Sequence, residues 1–167
     1  MSRPLRTGVL FGLLLLVADQ LSKWWILEVV RLEEVRNIPV LMLGPVGLDL
    51  TMVWNRGVTF GLFSGQGSWN HLILAVLALV VAGFLLRWLA RAETRLVTYA
   101  LGAVIGGAVA NVIDRFRFGA VVDFVDVHAA GWHWYVFNLA DAAIVCGVLA
   151  LVADALIRPE TQRKEAP

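Results

Sequence analysis

Charged residues are scarce in this chain: they make up 16% of its 167 residues, whereas hydrophobic residues make up 59%. Soluble domains carry charge on roughly a quarter of their residues, so the composition argues against an ordinary soluble enzyme. A basic excess is also lacking, because 14 Lys and Arg residues face 13 Asp and Glu residues. With no surplus positive charge to neutralise phosphates, we expect no nucleic-acid partner.

Cysteine is nearly absent, since Cys146 is the only one in the sequence. A single thiol cannot form an internal disulfide bond or a CxxC metal or redox pair. Cys146 lies in an apolar run, where cysteine serves as a small hydrophobic residue. We therefore assign it no role, and we expect no cofactor.

Long apolar runs are what the sequence has instead. Four of them have the roughly 20 residues that a helix needs to cross a bilayer, and they lie near residues 8–27, 68–89, 96–113 and 136–157. The first run resembles a cleavable signal peptide, but it leads into Asp19 and Lys23 with no A-x-A-like site. We expect a single integral membrane domain over residues 1–167, all-α in class, with four transmembrane helices.

Basic residues flank these runs unevenly. They concentrate before the first run, between the second and third, and after the fourth, at Arg3, Arg6, Arg87, Arg91, Arg95, Arg158, Arg163 and Lys164. The positive-inside rule places these segments, and so both termini, in the cytoplasm. The longer segments near residues 28–67 and 114–135 would then face outward.

The first outer segment has the composition of β-structure. Residues 38–43 and 48–54 have a strand-like composition, and the Gly-Pro-Val-Gly sequence between them is typical of a turn. Glycines at 57, 61 and 65 favour further tight turns. The sequence thus predicts a small extracytoplasmic β-sheet over about residues 38–63.

Ionisable side chains next to a membrane are costly and mark candidate functional sites. Asp19 and Lys23 are spaced i,i+4 with the acid first, which favours an ion pair within one helix. The pair is either purely structural or a support for the site. Asp114 follows the third run, where the helix dipole disfavours an anion. It therefore needs a cation, for which Arg115 and Arg117 are the nearest candidates.

Two further carboxylates lie between the last runs and at the start of the fourth. Asn138 and Asp141 have the spacing of a capping box, and a helix N-terminus would favour an ionised Asp141. Asp123 lies in an apolar run and has no such explanation. Two carboxylates in a partly dry site cannot both ionise readily, so one keeps a proton while the other can act as a base. That pair can activate water without a metal, although membrane acids can equally serve structure or an ion path.

Five short motifs, in register, resemble the lipoprotein signal peptidases, or signal peptidase II, of bacterial inner membranes. They are DQLSK at 19–23, NRGVTFG at 55–61, GGAVANVIDR at 106–115, GAVVDF at 119–124 and FNLAD at 137–141. The resemblance implies an aspartic endopeptidase with an outer β-sheet cradle and a small outer helical segment. It would cleave prolipoprotein signal peptides just before the diacylglyceryl-modified cysteine, near the periplasmic face.

The same resemblance implies roles for ten residues. The catalytic dyad would be Asp123 and Asp141. Five residues would shape the site or bind substrate, namely Asn55, Gly57, Asn111, Arg115 and Asn138, and three would support it, namely Asp19, Lys23 and Asp114. The implied partners are diacylglyceryl-prolipoprotein substrates, membrane lipids and globomycin-like inhibitors.

Three other functions remain open. A small proton- or ion-coupled transport protein would have acids through the membrane depth, whereas here only Asp154 lies near the inner side. A metalloenzyme would use His128, His133 and Asp126, whose spacing fits no HExxH-type motif. A structural membrane subunit would tolerate replacement of Asp123 by Asn.

Overall fold

The computed structural model describes residues 2–57 and 69–157. Its elements, in chain order, are α1 (Arg3–Trp24), α2 (Leu32–Val35), β1 (Asn37–Leu43), β2 (Val46–Asn55), α3 (Asn70–Leu89), α4 (Arg95–Phe118), β3 (Val121–Ala129), β4 (Trp132–His133) and α5 (Leu139–Ile157). A π-helical turn, Trp25–Val29, continues α1. The four helices long and apolar enough to cross a membrane are α1 with this turn, α3, α4 and α5, which confirms the fold class predicted from the apolar runs.

Local sequence signals set the helix ends. Pro4 lies in the first turn of α1, where its missing N–H costs no hydrogen bond. Thr94 caps α4, because its Oγ1 accepts a hydrogen bond from the Val97 backbone N–H at 3.2 Å. Gly119 ends α4 in a left-handed conformation with φ of 71°. α4 thus runs to Phe118 instead of ending at residue 113, and α5 begins at Leu139 instead of residue 136.

α4 is the central helix of the bundle. It contacts α1, α3 and α5. In its most apolar stretch of 18 residues, 67% of the residues are buried, against 22% in the corresponding stretch of α1 and 17% in those of α3 and α5. Large apolar side chains on the three outer helices, such as Leu14, Phe84 and Leu149, are exposed. These surfaces suit contact with lipid, and α4 is the most buried of the four helices.

Glycines let α4 approach α1 and α5 closely. A Cβ atom on Gly12 would lie 2.7 Å from the Gly102 carbonyl oxygen, and one on Gly106 would collide with the Gly12 backbone. Towards α5, a Cβ atom on Gly107 would lie 2.5 Å from the Ala140 carbonyl oxygen. Close backbone approach is a common basis of helix association in membranes, where lipid removes the hydrophobic driving force between helices.

The four strands form one antiparallel sheet in the order β1-β2-β3-β4. β1 and β2 form the predicted hairpin, but their turn shrinks to Gly44 and Pro45 because both strands are longer than expected. β1 and β4 are the two edge strands, and β1 contains Pro39 beside a register shift. An edge tolerates proline because the missing N–H breaks no ladder there.

The predicted β segment at residues 38–63 misses half of the sheet. β3 and β4 lie at residues 121–133, where the sequence analysis assigned no strand. The β-branched residues Val121, Val122, Val125 and Val127 are the signal that could have shown β3. At the other limit of the prediction, residues 58–63 lie outside the described residues.

The sheet packs against the end of α1 through a cluster of buried apolar side chains. Its buried members are Ile26, Leu32, Met52, Val122 and Phe124. They come from the π-helical turn, α2, β2 and β3, so one cluster joins four elements. The sheet is thereby fixed over the end of the bundle where α1 and α4 both finish.

We expect Gly106→Ala to destabilise the protein by roughly 1–3 kcal/mol, since the new methyl group would meet the Gly12 backbone. Gly83→Ala is the matched control, because Gly83 of α3 has open space where its Cβ would lie. Thermal unfolding in detergent measures both. Equal melting temperatures for the two variants would contradict close packing of α1 on α4.

Candidate active site

Lys23 lies at the centre of a buried polar cluster between α1 and α4. Its Nζ is 2.8 Å from Asp19 Oδ2, 2.7 Å from Asp114 Oδ2 and 3.1 Å from Asn111 Oδ1. An ammonium group has three N–H donors and no acceptor, so these three oxygens use its whole donor capacity. The predicted pair of Asp19 and Lys23 is therefore present, but it is part of a larger cluster.

The partner of Asp114 differs from the expectation. Neither Arg115 nor Arg117 forms a direct ion pair with it: Arg115 Nη1 donates to the Asn111 carbonyl oxygen at 3.2 Å, and Arg117 Nη1 lies 3.4 Å from Gln20 Oε1. The cation is Lys23 of α1. Neighbours along a helix point about 100° apart, and Asp114 lies on the face of α4 that packs against α1.

The two acids of this cluster also accept backbone hydrogen bonds. Asp19 Oδ1 accepts from the Ala140 N–H at 2.9 Å, and Asp114 Oδ2 accepts from the Val122 N–H at 3.1 Å. Ala140 precedes Asp141, and Val122 precedes Asp123. The cluster on α1 and α4 thus holds the two chain segments that carry the predicted dyad.

Asn138 and Asp141 form the predicted capping box at the start of α5. Asn138 Oδ1 accepts a hydrogen bond from the Asp141 N–H at 2.9 Å, and the Asn138 N–H donates to Asp141 Oδ2 at 3.4 Å. Asn138 is fully buried. Its Nδ2 reaches across to β3 and donates to Asp123 Oδ1 at 2.7 Å. One asparagine therefore links both predicted catalytic aspartates.

Asp123 lies on β3 and is 1% exposed. Its Oδ2 accepts a hydrogen bond from Asn55 Nδ2 at 2.9 Å, so Asn55 and Asn138 each donate to one of its oxygens. Burial raises the pKa of Asp123 from 3.8 to about 6, and the negative charge of Asp141 adds to this rise while the two amide hydrogen bonds oppose it. Near neutral pH, Asp123 therefore exchanges its proton easily.

Three amide side chains direct their NH₂ groups at the two carboxylates. Asn111 Nδ2 donates to Asp141 Oδ1 at 2.7 Å, in addition to the two bonds from Asn55 and Asn138 to Asp123. The amide oxygens bind groups that can only donate: Lys23 Nζ at Asn111, and the backbone N–H of Asp141 at Asn138. These partners fix which end of each amide faces the acids.

Gly57 fixes the orientation of the Asn55 amide in the same way. Its N–H donates to Asn55 Oδ1 at 2.9 Å, which leaves Nδ2 free to face Asp123. Gly57 has φ of 75°, a conformation that side chains rarely adopt, and a Cβ there would collide with Leu74. The positive φ therefore favours glycine at the position whose N–H orients Asn55.

An open cavity of about 580 Å³ adjoins Asp123. Asn55 and Arg56 form one part of its wall, and Trp134 and Tyr135 form another. A polypeptide segment could thus reach Asp123 from this side. Neither Trp134 nor Tyr135 was predicted from the sequence as a lining residue of this cavity.

Gln20 is a further residue that the sequence analysis missed. Its Nε2 donates to Asp114 Oδ1 at 2.8 Å and lies 3.3 Å from the Ala110 carbonyl oxygen. Gln20 lies within the DQLSK motif, three residues before Lys23 and so on a neighbouring part of the same helix face. That spacing was the available signal.

The residues of the metal alternative lie on the sheet, away from the dyad. His133 Nδ1 is 3.0 Å from Asp126 Oδ1, and the rings of His128 and His133 stack with centroids 4.8 Å apart. Among residues 2–57 and 69–157, no group of three His, Cys, Asp or Glu side chains is arranged to hold a metal ion. Asp154 lies at the other end of the bundle, where Thr94 Oγ1 approaches its Oδ1 at 3.4 Å.

We expect Lys23→Met to lower the free energy of unfolding by about 3–5 kcal/mol, because it leaves two buried carboxylates without their cation. Adding Asp19→Asn and Asp114→Asn should restore most of this loss. Denaturant unfolding in detergent measures the change. The control is Arg31→Met, which removes an exposed pair with Glu34 and should change little; a Lys23→Met protein as stable as this control would refute the prediction.

Known proteins are similar to this chain over nearly its whole length. The family model described as signal peptidase (SPase) II matches residues 11–157. A lipoprotein signal peptidase of Rhodopseudomonas palustris is 45% identical over 161 residues, covering 92% of this chain and 94% of the relative. One of Nitrobacter hamburgensis is 43% identical over 171 residues, covering 98% and 99%.

A solved structure shares the fold. It is described as a bacterial membrane enzyme solved by the in meso method at 2.3 Å resolution, and it matches with a TM-score of 0.74 at 23% identity, covering 96% of this chain and 93% of that one. At this identity the likeness concerns the fold alone. The family model and the curated relatives cover nearly the whole chain, and by that evidence the chain belongs to the signal peptidase II family, the lipoprotein signal peptidases.

Proposed function

We propose that this peptidase is an aspartic endopeptidase of the membrane that removes signal peptides from diacylglyceryl-modified prolipoproteins, cutting just before the lipidated cysteine. Membership of the lipoprotein signal peptidase family supports the substrate class. The observation that carries the catalytic type is the link between Asp123 and Asp141 through Asn138, with Asp123 buried beside an open cavity.

Hydrolysis by this pair needs one shared proton. Ionised Asp141 takes a proton from a water molecule whose oxygen bonds to the scissile carbonyl carbon, while Asp123 gives its proton to the carbonyl oxygen. As the tetrahedral intermediate collapses, the C–N bond breaks and the proton held by Asp141 passes to the leaving nitrogen. A hydroxyl of the intermediate returns a proton to Asp123, which restores the starting state.

The hydrogen bonds around the dyad support this division of roles. Asp141 lies in the first turn of α5 and accepts from Asn111, and both features stabilise a carboxylate. Asp123 has the raised pKa that lets it keep a proton. Because the donors are fixed before substrate binds, little reorganisation is needed in the transition state.

The remaining predicted residues are assigned to the substrate. Asn55 lines the cavity at the end of β2, Gly57 orients its amide, and Arg115 is half-buried near Asn111. Asn55 and Arg115 can therefore bind the peptide backbone near the dyad, and Gly57 shapes the site. The exposed apolar side chains of the β1–β2 hairpin suit contact with membrane lipids or acyl chains. Globomycin-like cyclic peptides would compete for the same cavity.

The enzyme would lie in the bacterial inner membrane with its site towards the periplasm. Arg3, Arg6, Arg87, Arg91 and Arg95 lie at the ends of α1, α3 and α4 that are opposite the site. The positive-inside rule then places both termini in the cytoplasm. A substrate already inserted in the bilayer would present its scissile bond at the level of the dyad.

We expect Asp123→Asn and Asp141→Asn each to lower cleavage of a purified diacylglyceryl-prolipoprotein by about 10³-fold or more, because each removes one of the two proton-transfer groups. Gel mobility of the product measures cleavage. Asp154→Asn, at the other end of the bundle, should remain active, and a chelator should have no effect. Full cleavage by either dyad variant would end the aspartic proposal, and a requirement for Asp154 would favour the transport alternative.

We also expect the wild-type kcat/KM to fall as the pH rises through about 6, because Asp123 then loses the proton it donates. The pKa of Asp123 is lowered by the hydrogen bond from Asn55, so Asn55→Ala should move the fall to higher pH. The pH dependence of single-substrate cleavage measures both. A kcat/KM that rises through this pH range would reverse the roles of the two aspartates.

A further inference from the structure

The side chain of Asn111 bridges Lys23 and Asp141. Lys23 Nζ lies 3.1 Å from Asn111 Oδ1, and Asn111 Nδ2 lies 2.7 Å from Asp141 Oδ1. The two contacts involve opposite ends of one amide group. Lys23 is 2% exposed and Asn111 7% exposed, so this contact is shielded from bulk solvent.

The amide of Asn111 could in principle face either way. Turned over, it would present NH₂ to the ammonium group of Lys23 and oxygen to the Asp141 carboxylate, and both contacts would be repulsive. A cation on one side therefore selects the orientation that donates to the acid on the other side. The selection is strong because buried electrostatic contacts are poorly screened.

A second donor near the Asn111 oxygen does not replace Lys23. Asn138 Nδ2 lies 3.2 Å from Asn111 Oδ1, but it also lies 2.7 Å from Asp123 Oδ1 and 3.2 Å from the Val122 carbonyl oxygen. Two amide protons cannot satisfy three acceptors, and the carboxylate is the closest. The second Asn138 proton is therefore shared between the Val122 and Asn111 oxygens, whereas the third proton of Lys23 has the Asn111 oxygen as its acceptor.

We propose that Lys23 is a positioning residue for hydrolysis: by binding the oxygen of the Asn111 amide, it directs the amide NH₂ to Asp141 and so holds that carboxylate in place for the attacking water. The inference rests on the proposed function, because it gives Lys23 a role in the activity of the dyad. It differs from a role as counter-ion of Asp19 and Asp114, because a counter-ion acts through its charge on those two acids, whereas a positioning residue acts through its N–H bond to Asn111.

The experiment first replaces both acids that Lys23 neutralises, so that position 23 no longer needs a positive charge. In an Asp19→Asn, Asp114→Asn background, position 23 carries either Lys23→Met or Lys23→Gln, so both triple variants have the same charge. The introduced amide oxygens can still accept from Ala140 and Val122, which keeps both backbone contacts. Only Lys23→Gln supplies an N–H that can bind the Asn111 oxygen.

We expect both triple variants to have similar melting temperatures, and kcat to be about 10- to 100-fold lower with Lys23→Met than with Lys23→Gln, with KM unchanged within about twofold. Arg117→Met, which removes a cation of α4 that contacts Gln20, should keep the wild-type kcat. Equal kcat in the two triple variants would overturn the proposal and leave Lys23 as a counter-ion.

A second comparison serves if the neutral background does not fold. The single variants Lys23→Met and Lys23→Gln are then assayed in membranes, with rates divided by the amount of folded, protease-resistant protein. A higher rate with Lys23→Gln is expected, and equal rates would again overturn the proposal. Inactivity of the wild-type protein on a lipidated precursor would instead refute the proposed function, so the two failures are distinguishable.

Discussion

The geometry of the site depends on the ion pairs that the buried ammonium group of Lys23 forms with Asp19 and Asp114. The ammonium group binds two carboxylates that come from α1 and α4, and each of these accepts a backbone hydrogen bond from the residue that precedes a dyad aspartate. Without the cation, Asp19 and Asp114 would repel each other in a medium that screens charge poorly. The ends of α1 and α4, the start of α5 and the start of β3 would then lose their common attachment. A buried ion pair is seldom favourable for stability alone, and here it fixes the positions of four chain segments.

The amides of the site extend this order to Asp123 and Asp141, the proposed catalytic pair. Asparagine has both a donor and an acceptor, so an isolated side chain could turn either face to a carboxylate. In this protein each of the three amide oxygens is bound by an obligate donor, which leaves three NH₂ groups directed at Asp123 and Asp141. A pair of acids with fixed donors on both members can have unequal proton affinities before substrate arrives. The raised pKa of Asp123 results from burial, which outweighs the hydrogen bonds from Asn55 and Asn138, and the proposed aspartic mechanism depends on this property.

Much of this arrangement follows from spacing within single segments. The i,i+4 relation of Asp19 and Lys23 predicted their pair, the spacing of Asn138 and Asp141 predicted the capping box, and the lengths of the apolar runs predicted four helices. Contacts between segments were less accessible. Asp114 was paired with an arginine of its own helix because local order says nothing about which helix packs against which face. The strand at residues 121–129 was missed because a short apolar run with two acids has no clear period. Its β-structure depends on pairing with β2, which is distant in sequence.

On α4, the residues that pack against neighbouring helices and the residues that form the site lie in the same rows, where a row is a set of residues spaced by four along one face. Gly102, Gly106, Ala110 and Asp114 are spaced by four residues and so share one face; the glycines meet the α1 backbone, and Asp114 binds Lys23 of α1. Gly107 and Asn111 form a second row that faces α5. Gly107 meets Ala140, and Asn111 binds Asp141, both of α5. Each row changes from small residues to a polar residue at the end of the bundle that carries the site. Because the short residues set the distance between backbones, they also set the distance over which the polar residues must reach. A methyl group added deep in either row would therefore displace the site groups as well as the helices, although it lies at least one helical turn away from them.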